Sequence, residues 1–268
     1  AVGVKVDIVA AGESDSRLSL QVKEAILRAA AERRLMVNFH GVPKATGTAR
    51  TWPNEVTREG AMGLELNGLL WDRGFGVSAR HNAALPFTRL LSGPFDYTPL
   101  TFDARKIGRT TFGHQLATFA TFTSPLQHLA DDPELVLAQP LALDVLKALP
   151  TEWDETRVLA GSAIGRLAAF ARRAGDVWVV TALNGSETAG AVLEVATDFL
   201  DVRAWRAVRV DDAAATELRR TEYDRWVPGE RLVLDLLPGG GATVLFEPLD
   251  RRFRLGTSRE GQARQRNQ

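Results

Sequence analysis

The sequence contains no cysteine among its 268 residues, which excludes disulfide bonds and thiolate metal sites and is compatible with either redox compartment. It also has no excess of one charge, because 33 Lys and Arg balance 33 Asp and Glu. Without a basic field, nucleic acid is not the favoured partner. No apolar run approaches the roughly 20 residues of a membrane helix, so membrane insertion is not expected.

The sequence also lacks an initiator Met and a signal peptide, and it starts directly with a strand-like segment. Strands seldom begin at a true terminus, so we expect a fragment, or a processed or cropped piece, of a longer protein. The composition, 45% hydrophobic and 25% charged, is that of an ordinary globular protein with one large or two smaller domains.

The first 39 residues follow a strand, helix, strand pattern. Residues 2–10 (VGVKVDIVA) are β-branched and almost continuously apolar, which is typical of a parallel strand covered on both faces. Apolar residues at four-residue spacing predict a helix over residues 18–34, and LMVNF at 35–39 reads as a second buried strand. The pattern predicts a βαβ unit, and catalytic groups gather at the carboxyl ends of such strands.

The rest of the chain changes character near residue 150. Residues 40–65 are irregular and glycine-rich, which inside a compact domain usually indicates function. Helices are predicted over residues 111–130, with a break at Pro125, and over residues 135–149. From residue 151, short alternating runs separated by turn signals predict an all-β sandwich of about seven or eight strands. We interpret the basic end as a frayed tail.

Three carboxylates are candidates for chemistry. Asp7 ends the first buried strand, in KVDI, where a carboxylate is costly unless it has a function, although capping the next loop or pairing with Lys5 explains it equally well. Glu59 and Glu65 are separated by Gly60 and Gly63, which permit close approach of ligand or backbone. Both glutamates could instead be solvated surface residues.

Two strand-end carboxylates that face one pocket are what cleavage of a glycosidic bond requires. A metal-dependent hydrolase is also conceivable, because the hard oxygen ligands of Glu59 and Glu65 would suit calcium rather than zinc. His40 follows the second strand and is as well explained by a hydrogen bond at the edge of the core as by ligand binding. His81, His114 and His128 show no metal-ligand spacing and are predicted to be structural.

Five segments together resemble one family, the α-glycosidases of glycoside hydrolase family 97. They are GVKVD, NFHGVPKATGTARTWPNEVTREGAMGLE, HNAALPFTRLLSGPFDYTP, TTFGHQLA with SPLQHLADDPE, and LPTEWDETRVLAG. The resemblance implies an α/β fold in which residues 1–150 form the C-terminal half of a (β/α)8 TIM-type barrel. Residues 151–250 would form a closing antiparallel β-sandwich and residues 251–268 a polar basic tail. The family's N-terminal sandwich and first barrel strands would be absent.

The resemblance also implies the catalytic and metal-binding roles. Inverting members place a Glu after the histidine that ends the NFH strand, and this sequence has Gly41 there. Retaining members have a nucleophilic Asp at the end of the KVD strand, which corresponds to Asp7. By the same resemblance Glu65 is the general acid/base, and Glu59 and Glu65 are the ligands of a bound Ca²⁺.

Substrate contacts are expected from His40, Lys44, Arg50 and Trp52. Arg50 could equally form a structural salt bridge, and Trp52 could pack beneath the loop. The family usually has Pro where this sequence has Ala45 and Tyr where it has Trp52. These differences leave the identity of the sugar open.

The resemblance favours a retaining α-galactosidase that acts on an oligosaccharide or other α-glycoside. An α-glucosidase of the same family is the alternative, and a non-catalytic carbohydrate-binding or structural fragment is the alternative from another class. We do not expect the chain alone to turn over substrate. A periplasmic or secreted location follows from the family alone, and the sequence leaves the natural glycan and the oligomeric state open.

Overall fold

A computed structural model of the chain describes residues 1–7, 16–70 and 76–250, without the side chains of 69 and 70. The predicted tail and the end of the first predicted strand lie outside these residues. The helices are α1 (Arg17–Glu32), α2 (Glu65–Leu70), α3 (Ala79–Ala84), α4 (Phe112–Thr121), α5 (Pro133–Leu137) and α6 (Pro140–Ala148). The strands are β1 (Gly3–Val6), β2 (Met36–Phe39), β3 (Glu55–Arg58), β4 (Glu155–Val158), β5 (Leu167–Ala174), β6 (Val177–Asn184), β7 (Ala191–Ala196), β8 (Trp205–Ala214), β9 (Glu217–Trp226), β10 (Arg231–Leu236) and β11 (Gly241–Pro248).

The N-terminal part contains the predicted βαβ unit. Strands β1, β2 and β3 form a parallel sheet with β2 in the centre, and α1 connects β1 to β2. Helix α1 begins at a Ser16 cap, whose hydroxyl accepts a hydrogen bond from the Ser19 amide, and it buries Leu27 and Ala30 against β2. A single parallel bridge between Arg58 and Phe95 continues the pairing beyond β3. Closure of such strands into a (β/α)8 barrel stays a prediction.

The burial predicted for the first strand is wrong. Among the described residues, β1 is an edge strand, and Val4 is 41% exposed rather than covered. Sequence alone does not reveal this difference, because a β-branched apolar run has the same composition whether its second face is covered or open.

Three further local predictions need correction. The irregular segment 40–65 contains a strand, β3, and a short 3₁₀ turn at Thr48–Arg50. Helix α4 ends at Thr121, before the predicted break at Pro125. The single helix predicted over 135–149 is two helices, because Pro140 cannot continue α5 and instead starts α6.

The C-terminal part is an antiparallel sandwich. Its six-stranded sheet has the order β4-β5-β6-β11-β8-β9 and faces a two-stranded sheet of β10 and β7. The eight strands agree with the predicted sandwich, although β4 and β9 were not predicted. The predicted boundary between residues 150 and 151 stays a prediction.

Both faces of the six-stranded sheet are covered. One face meets β7 and β10 in a core that contains Trp178 and Phe246, and the other packs against α4 and α6 through Val179 and Leu245. Strands β6 and β11 are therefore buried along their whole length. None of the described helices combines the length and hydropathy needed to span a bilayer.

Candidate functional site

Three polar side chains meet where the parallel strands β2 and β3 end. His40 follows β2, Glu59 follows β3 and Glu65 begins α2. One ligand atom from each lies within 4.8 Å of the others. His40 Nε2 is 2.6 Å from Glu65 Oε1 and 3.4 Å from Glu59 Oε1. Because carboxyl ends of parallel strands share one edge of the sheet, the topology itself gathers these groups.

Asp96 lies behind this cluster and holds His40 in place. Its fully buried carboxylate is 3.1 Å from His40 Nδ1, accepts a 2.7 Å bond from Asn38 Nδ2 and pairs with Lys5 Nζ at 3.0 Å. Asp96 is an acceptor when ionised, so Nδ1 of His40 carries a proton. The opposite ring nitrogen of His40 is thereby directed at the glutamates.

The charges in the cluster favour a protonated imidazole. Burial of His40 opposes its charged form, but hydrogen bonds to Asp96 and Glu65, with the charge of Glu59, outweigh it and raise the pKa of His40 to about 9. The pKa of Asp96 falls well below its usual range, because bonds from His40, Asn38 and Lys5 outweigh its burial. A proton on Nε2 also explains the 2.6 Å contact between His40 and Glu65.

Glu59, the second glutamate of the cluster, has a shifted pKa. Burial raises the pKa of Glu59 above its ordinary value. The charge of His40 and a 2.7 Å bond from the Gly41 amide oppose this rise. The negative charges of Glu65 and Asp7 add to it.

Asp7 itself is exposed and directly follows β1. Lys5, its proposed structural partner, forms an ion pair with Asp96 at 3.0 Å. In the parallel register of β1 and β2, Val6 lies opposite Phe39, so Asp7 and His40 follow their strands at the same edge of the sheet.

A cavity of about 510 Å³ opens next to Glu65. Thr98 and Leu100, on either side of Pro99, have left-handed backbones with φ of 53° and 71°. Such backbone strain in non-glycine residues is concentrated at functional sites. The residues lining the cavity are Lys5, Leu64, Glu65, Gly68, Thr98, Thr101, Lys106, His128, Leu129 and Ala130.

The two glycines between the glutamates permit close approach, as predicted. Gly60 has φ +73°, and a Cβ there would lie 2.5 Å from the Cα of Lys44. A Cβ at Gly63 would lie 2.9 Å from the carbonyl oxygen of Tyr97. The neighbour they approach is backbone in both cases, and this contact sets the path from Glu59 to Glu65.

The other predicted substrate residues lie elsewhere. Of the predicted set, His40 alone belongs to the cluster. Lys44 lines a second cavity with His81, and Arg50 is exposed on a third and forms no salt bridge with a residue that the structure describes. Trp52 packs beneath α1, with the Arg28 guanidinium 5.9 Å from its ring centroid, as its structural alternative predicts.

Sequence reasoning missed Asp96, which lies behind the cluster and contacts His40, Asn38, Lys5 and His128. The available signal was its position between Phe95 and Tyr97, two aromatic residues that are buried. His128 was predicted to be structural, yet its Nδ1 is 3.3 Å from Asp96 Oδ1 and it lines the cavity. His114 is a buried structural residue, as predicted.

Comparisons with known proteins agree on one family. The family model described as "Glycoside hydrolase 97" matches residues 1–61, and "Glycosyl-hydrolase 97 C-terminal, oligomerisation" matches residues 152–247. A "Probable retaining alpha-galactosidase" of Streptomyces bingchenggensis is 37% identical over 66% of the chain and 26% of its own length. The "Retaining alpha-galactosidase" of Bacteroides thetaiotaomicron is 30% identical over 79% of the chain and 33% of its own length.

A solved structure of similar fold is a glycoside hydrolase family 97 enzyme from Pseudoalteromonas sp. strain K8 in complex with acarbose. It has a TM-score of 0.80 and 30% identity, and the match covers 88% of this chain and 38% of that one. The chain thus spans about a quarter to a third of the length of the curated relatives.

Proposed function

Because the chain belongs to glycoside hydrolase family 97, we propose that it carries the reaction centre of an α-glycosidase that hydrolyses terminal α-galactosides with retention of configuration. The observation that carries the proposal is the meeting of Glu65, Glu59 and His40 at the strand ends, with Asp7 beside them. Two relatives named as retaining α-galactosidases support the choice of sugar.

In the proposed mechanism, Asp7 attacks the anomeric carbon while Glu65 protonates the departing glycosidic oxygen. For this step Glu65 carries a proton on Oε2, because Oε1 accepts from His40. A covalent glycosyl-enzyme forms, and Glu65 then takes a proton from the water that hydrolyses it. Such double displacement needs the two carboxyl groups about 5–5.5 Å apart. Asp7 follows the strand whose Lys5 lines the same cavity as Glu65, which is consistent with that arrangement.

In this proposal His40 contacts Glu65 rather than the sugar. Its side chain is only 4% exposed, and both ring nitrogens already contact carboxylates. A residue saturated in this way has little capacity left for a sugar hydroxyl, whereas it fixes the orientation of the Glu65 carboxyl. We therefore propose that His40 orients the acid/base.

The cluster fits a hard cation in part. Glu59 and Glu65 offer carboxylate oxygens a few ångströms apart, and oxygen is the ligand type that Ca²⁺ takes. The imidazole nitrogen of His40 is not a ligand of that type. We propose that these two glutamates hold Ca²⁺, with further oxygens from water or other segments, because calcium takes about 6–8. Bound Ca²⁺ would supply positive charge at the carboxylates.

An α-glucosidase is the second candidate. It is favoured by solved structures of the Pseudoalteromonas enzyme with acarbose and with panose, a trisaccharide of glucose. Comparing kcat/KM for aryl α-galactosides and aryl α-glucosides decides between the two sugars.

The non-catalytic alternative has less support. A sandwich that binds sugar by stacking needs aromatic rings at its surface. Trp178, Trp205 and Trp226 of the described sandwich are all buried in its core. From the description of the matching family model, we propose instead that this region mediates self-association, which light scattering of the purified protein would measure.

The direct test of the proposed function is Asp7→Asn, assayed in this chain and in any longer native form of the protein. Loss of the nucleophile should lower turnover by roughly 10⁴-fold. Azide should restore cleavage of an activated substrate and yield the glycosyl azide of opposite configuration, because azide replaces Asp7 on its own face of the sugar. Asp224→Asn, on the exposed surface of β9, is the matched control. An Asp7→Asn enzyme with unchanged turnover would contradict the assignment.

A further inference from the structure

Arg89 is a buried cation outside the proposed reaction centre. It donates hydrogen bonds to the two segments of the chain that carry Glu59 and Asp96. Arg89 begins a short 3₁₀ helix at Arg89–Ser92 and is 7% exposed. Its guanidinium lies over the ring of Phe95, 4.8 Å from the centroid. No carboxylate of a described residue lies within 4.0 Å to form a salt bridge with it.

The acceptors of Arg89 are almost all backbone carbonyls. Nε and Nη2 donate to the carbonyl of Glu59 at 2.8 and 2.6 Å, and Nη2 also donates to the carbonyl of Arg58 at 2.9 Å. On the other side, Nη1 donates to the Gly93 carbonyl at 3.0 Å and Nη2 to the Pro94 carbonyl at 3.1 Å. The guanidinium thus joins the end of β3 to the segment that enters Phe95.

These two segments carry the two carboxylates on opposite sides of one imidazole. Glu59 faces Nε2 of His40, and Asp96, two residues after Pro94, faces Nδ1. The backbone also links the segments directly, through the parallel bridge of Arg58 and Phe95, in which the Asp96 amide donates to the Arg58 carbonyl at 2.9 Å. The distance between Glu59 and Asp96, and with it the position of His40, therefore depends on how closely the segments are held.

We propose that Arg89 is a positioning residue, which sets the spacing of Glu59 and Asp96 around His40 and thereby the geometry of the reaction centre. The inference rests on the proposed function for its consequence in catalysis, but not for its geometry. The planar guanidinium of arginine can donate to carbonyls on both segments at once. The compact ammonium of lysine cannot reproduce the five fixed donor directions of a guanidinium.

The experiment compares Arg89→Lys with Arg172→Lys as a matched control. Arg172 is also a buried arginine, 5% exposed, and it donates to a backbone carbonyl, that of Ala120. It lies on β5 of the six-stranded sheet, against Trp153 and Phe170. Both substitutions retain the charge and remove a buried guanidinium, so Arg172→Lys controls for the loss of such a group outside the parallel sheet.

The first readout is the imidazole signals of protein labelled with ¹⁵N-histidine, assigned by single His→Gln variants. Arg89→Lys should shift the Nδ1 and Nε2 signals of His40 and leave those of His114 unchanged, while Arg172→Lys leaves His40 unchanged. The second readout is titration calorimetry with Ca²⁺, in which Arg89→Lys should weaken binding by about tenfold, the effect expected for an outer-shell partner.

Unmoved His40 signals in Arg89→Lys, or equal shifts in both variants, would overturn the proposal. If the unaltered protein binds no Ca²⁺, the metal assignment of the proposed function fails while the His40 signals still decide the role of Arg89. Should Arg89→Lys not fold, Arg89→Gln, which leaves no buried charge, is measured with the same expectation for His40.

Discussion

The parallel sheet and the six-stranded antiparallel sheet differ in how they are covered. Strands β6 and β11 are buried along their whole length between the second sheet of the sandwich and helices α4 and α6. In β1, by contrast, Val4 is 41% exposed, and Met36 of β2 is 42% exposed. The antiparallel sheet therefore supplies most of the buried apolar surface. The parallel sheet supplies the strand ends at which the residues of the candidate site lie.

Buried charge occurs in both parts, because Arg172, Asp211, Asp212 and Glu247 of the six-stranded sheet are buried as well. The ends of the parallel strands hold buried ionisable groups such as His40, Asp96 and Arg89, whereas the core between the sandwich sheets is apolar. Burying paired charges costs several kcal/mol per ion and often adds no net stability. The proposed reaction centre would explain why these buried charges are present, whereas stability would not.

The largest expected difference concerns apolar truncation in the two sheets. Phe246→Ala on β11 removes a fully buried ring that contacts Phe199 and Trp226, so the free energy of unfolding should fall by about 3–5 kcal/mol. Val4→Ala on β1 should cost less than about 1 kcal/mol, because the side chain is already partly in water. Urea unfolding measures both, and equal losses would refute the comparison.

A pH-dependent prediction concerns the junction between the two parts. Burial lowers the pKa of His114 to about 4. Tyr97 donates to Asn82, Asn82 Nδ2 lies 3.1 Å from His114 Nε2, and His114 Nδ1 faces the Gly240 carbonyl at 3.3 Å. A second proton on this histidine would oppose the Asn82 amide. As pH falls from 6.5 to 4, the unfolded chain gains the proton first and stability is lost, by about 3 kcal/mol.

The buried Asp212 changes the free energy of unfolding in the opposite direction as the pH falls. Burial raises its pKa to about 6, so its protonation in the folded state favours folding below that pH. The difference between unaltered protein and His114→Gln isolates the histidine. Urea midpoints measured from pH 7 to pH 4 should converge for the two proteins as the pH falls. Parallel curves would show that His114 is not held neutral.

A smaller difference is expected between two glycines in left-handed conformation. Gly60→Ala should destabilise by about 2–3 kcal/mol, because its Cβ would overlap the backbone of Lys44 in addition to the strain of φ +73°. Gly175→Ala, in the turn between β5 and β6, has φ +57° and open space, so strain alone costs about 1–2 kcal/mol. Thermal unfolding of both variants measures the difference, and the reverse order would contradict the described path from Glu59 to Glu65.

The smallest expected effect concerns Lys44 and Arg50. Both are exposed and line other cavities than the one beside Glu65. Lys44→Ala and Arg50→Ala should change kcat/KM by less than about threefold, which is under 1 kcal/mol of transition-state stabilisation. A hundredfold loss of kcat/KM would show that Lys44 and Arg50 contact the substrate, as the family resemblance predicts.

Sequence reasoning predicted elements best where pattern and burial agree. The run VWVVTALN corresponds to β6 at Val177–Asn184, because a strand covered on both faces must be apolar throughout. Strand β9 was missed because its exposed edge carries the charged run ELRRTEYDRW, and β3 was missed because glycines and prolines surround four residues. Periodicity also concealed the break between α5 and α6, which Pro140 imposes.

Local pattern named the candidate residues of the site beside structural alternatives, and the family resemblance assigned their roles. That resemblance named His40, Glu59 and Glu65, which the structure brings together. It did not name Asp96 or Arg89, whose roles depend on contacts 30 to 56 residues away in the chain. Long-range polar contacts of this kind leave no periodic signal in a sequence.

The most direct measurement is the configuration of the sugar first released from an aryl α-galactoside, followed by ¹H NMR before mutarotation. Double displacement through Asp7 and Glu65 predicts α-galactose as the first product. The β-anomer as first product would mean that water attacks the sugar directly, and Asp7 would then not be the nucleophile.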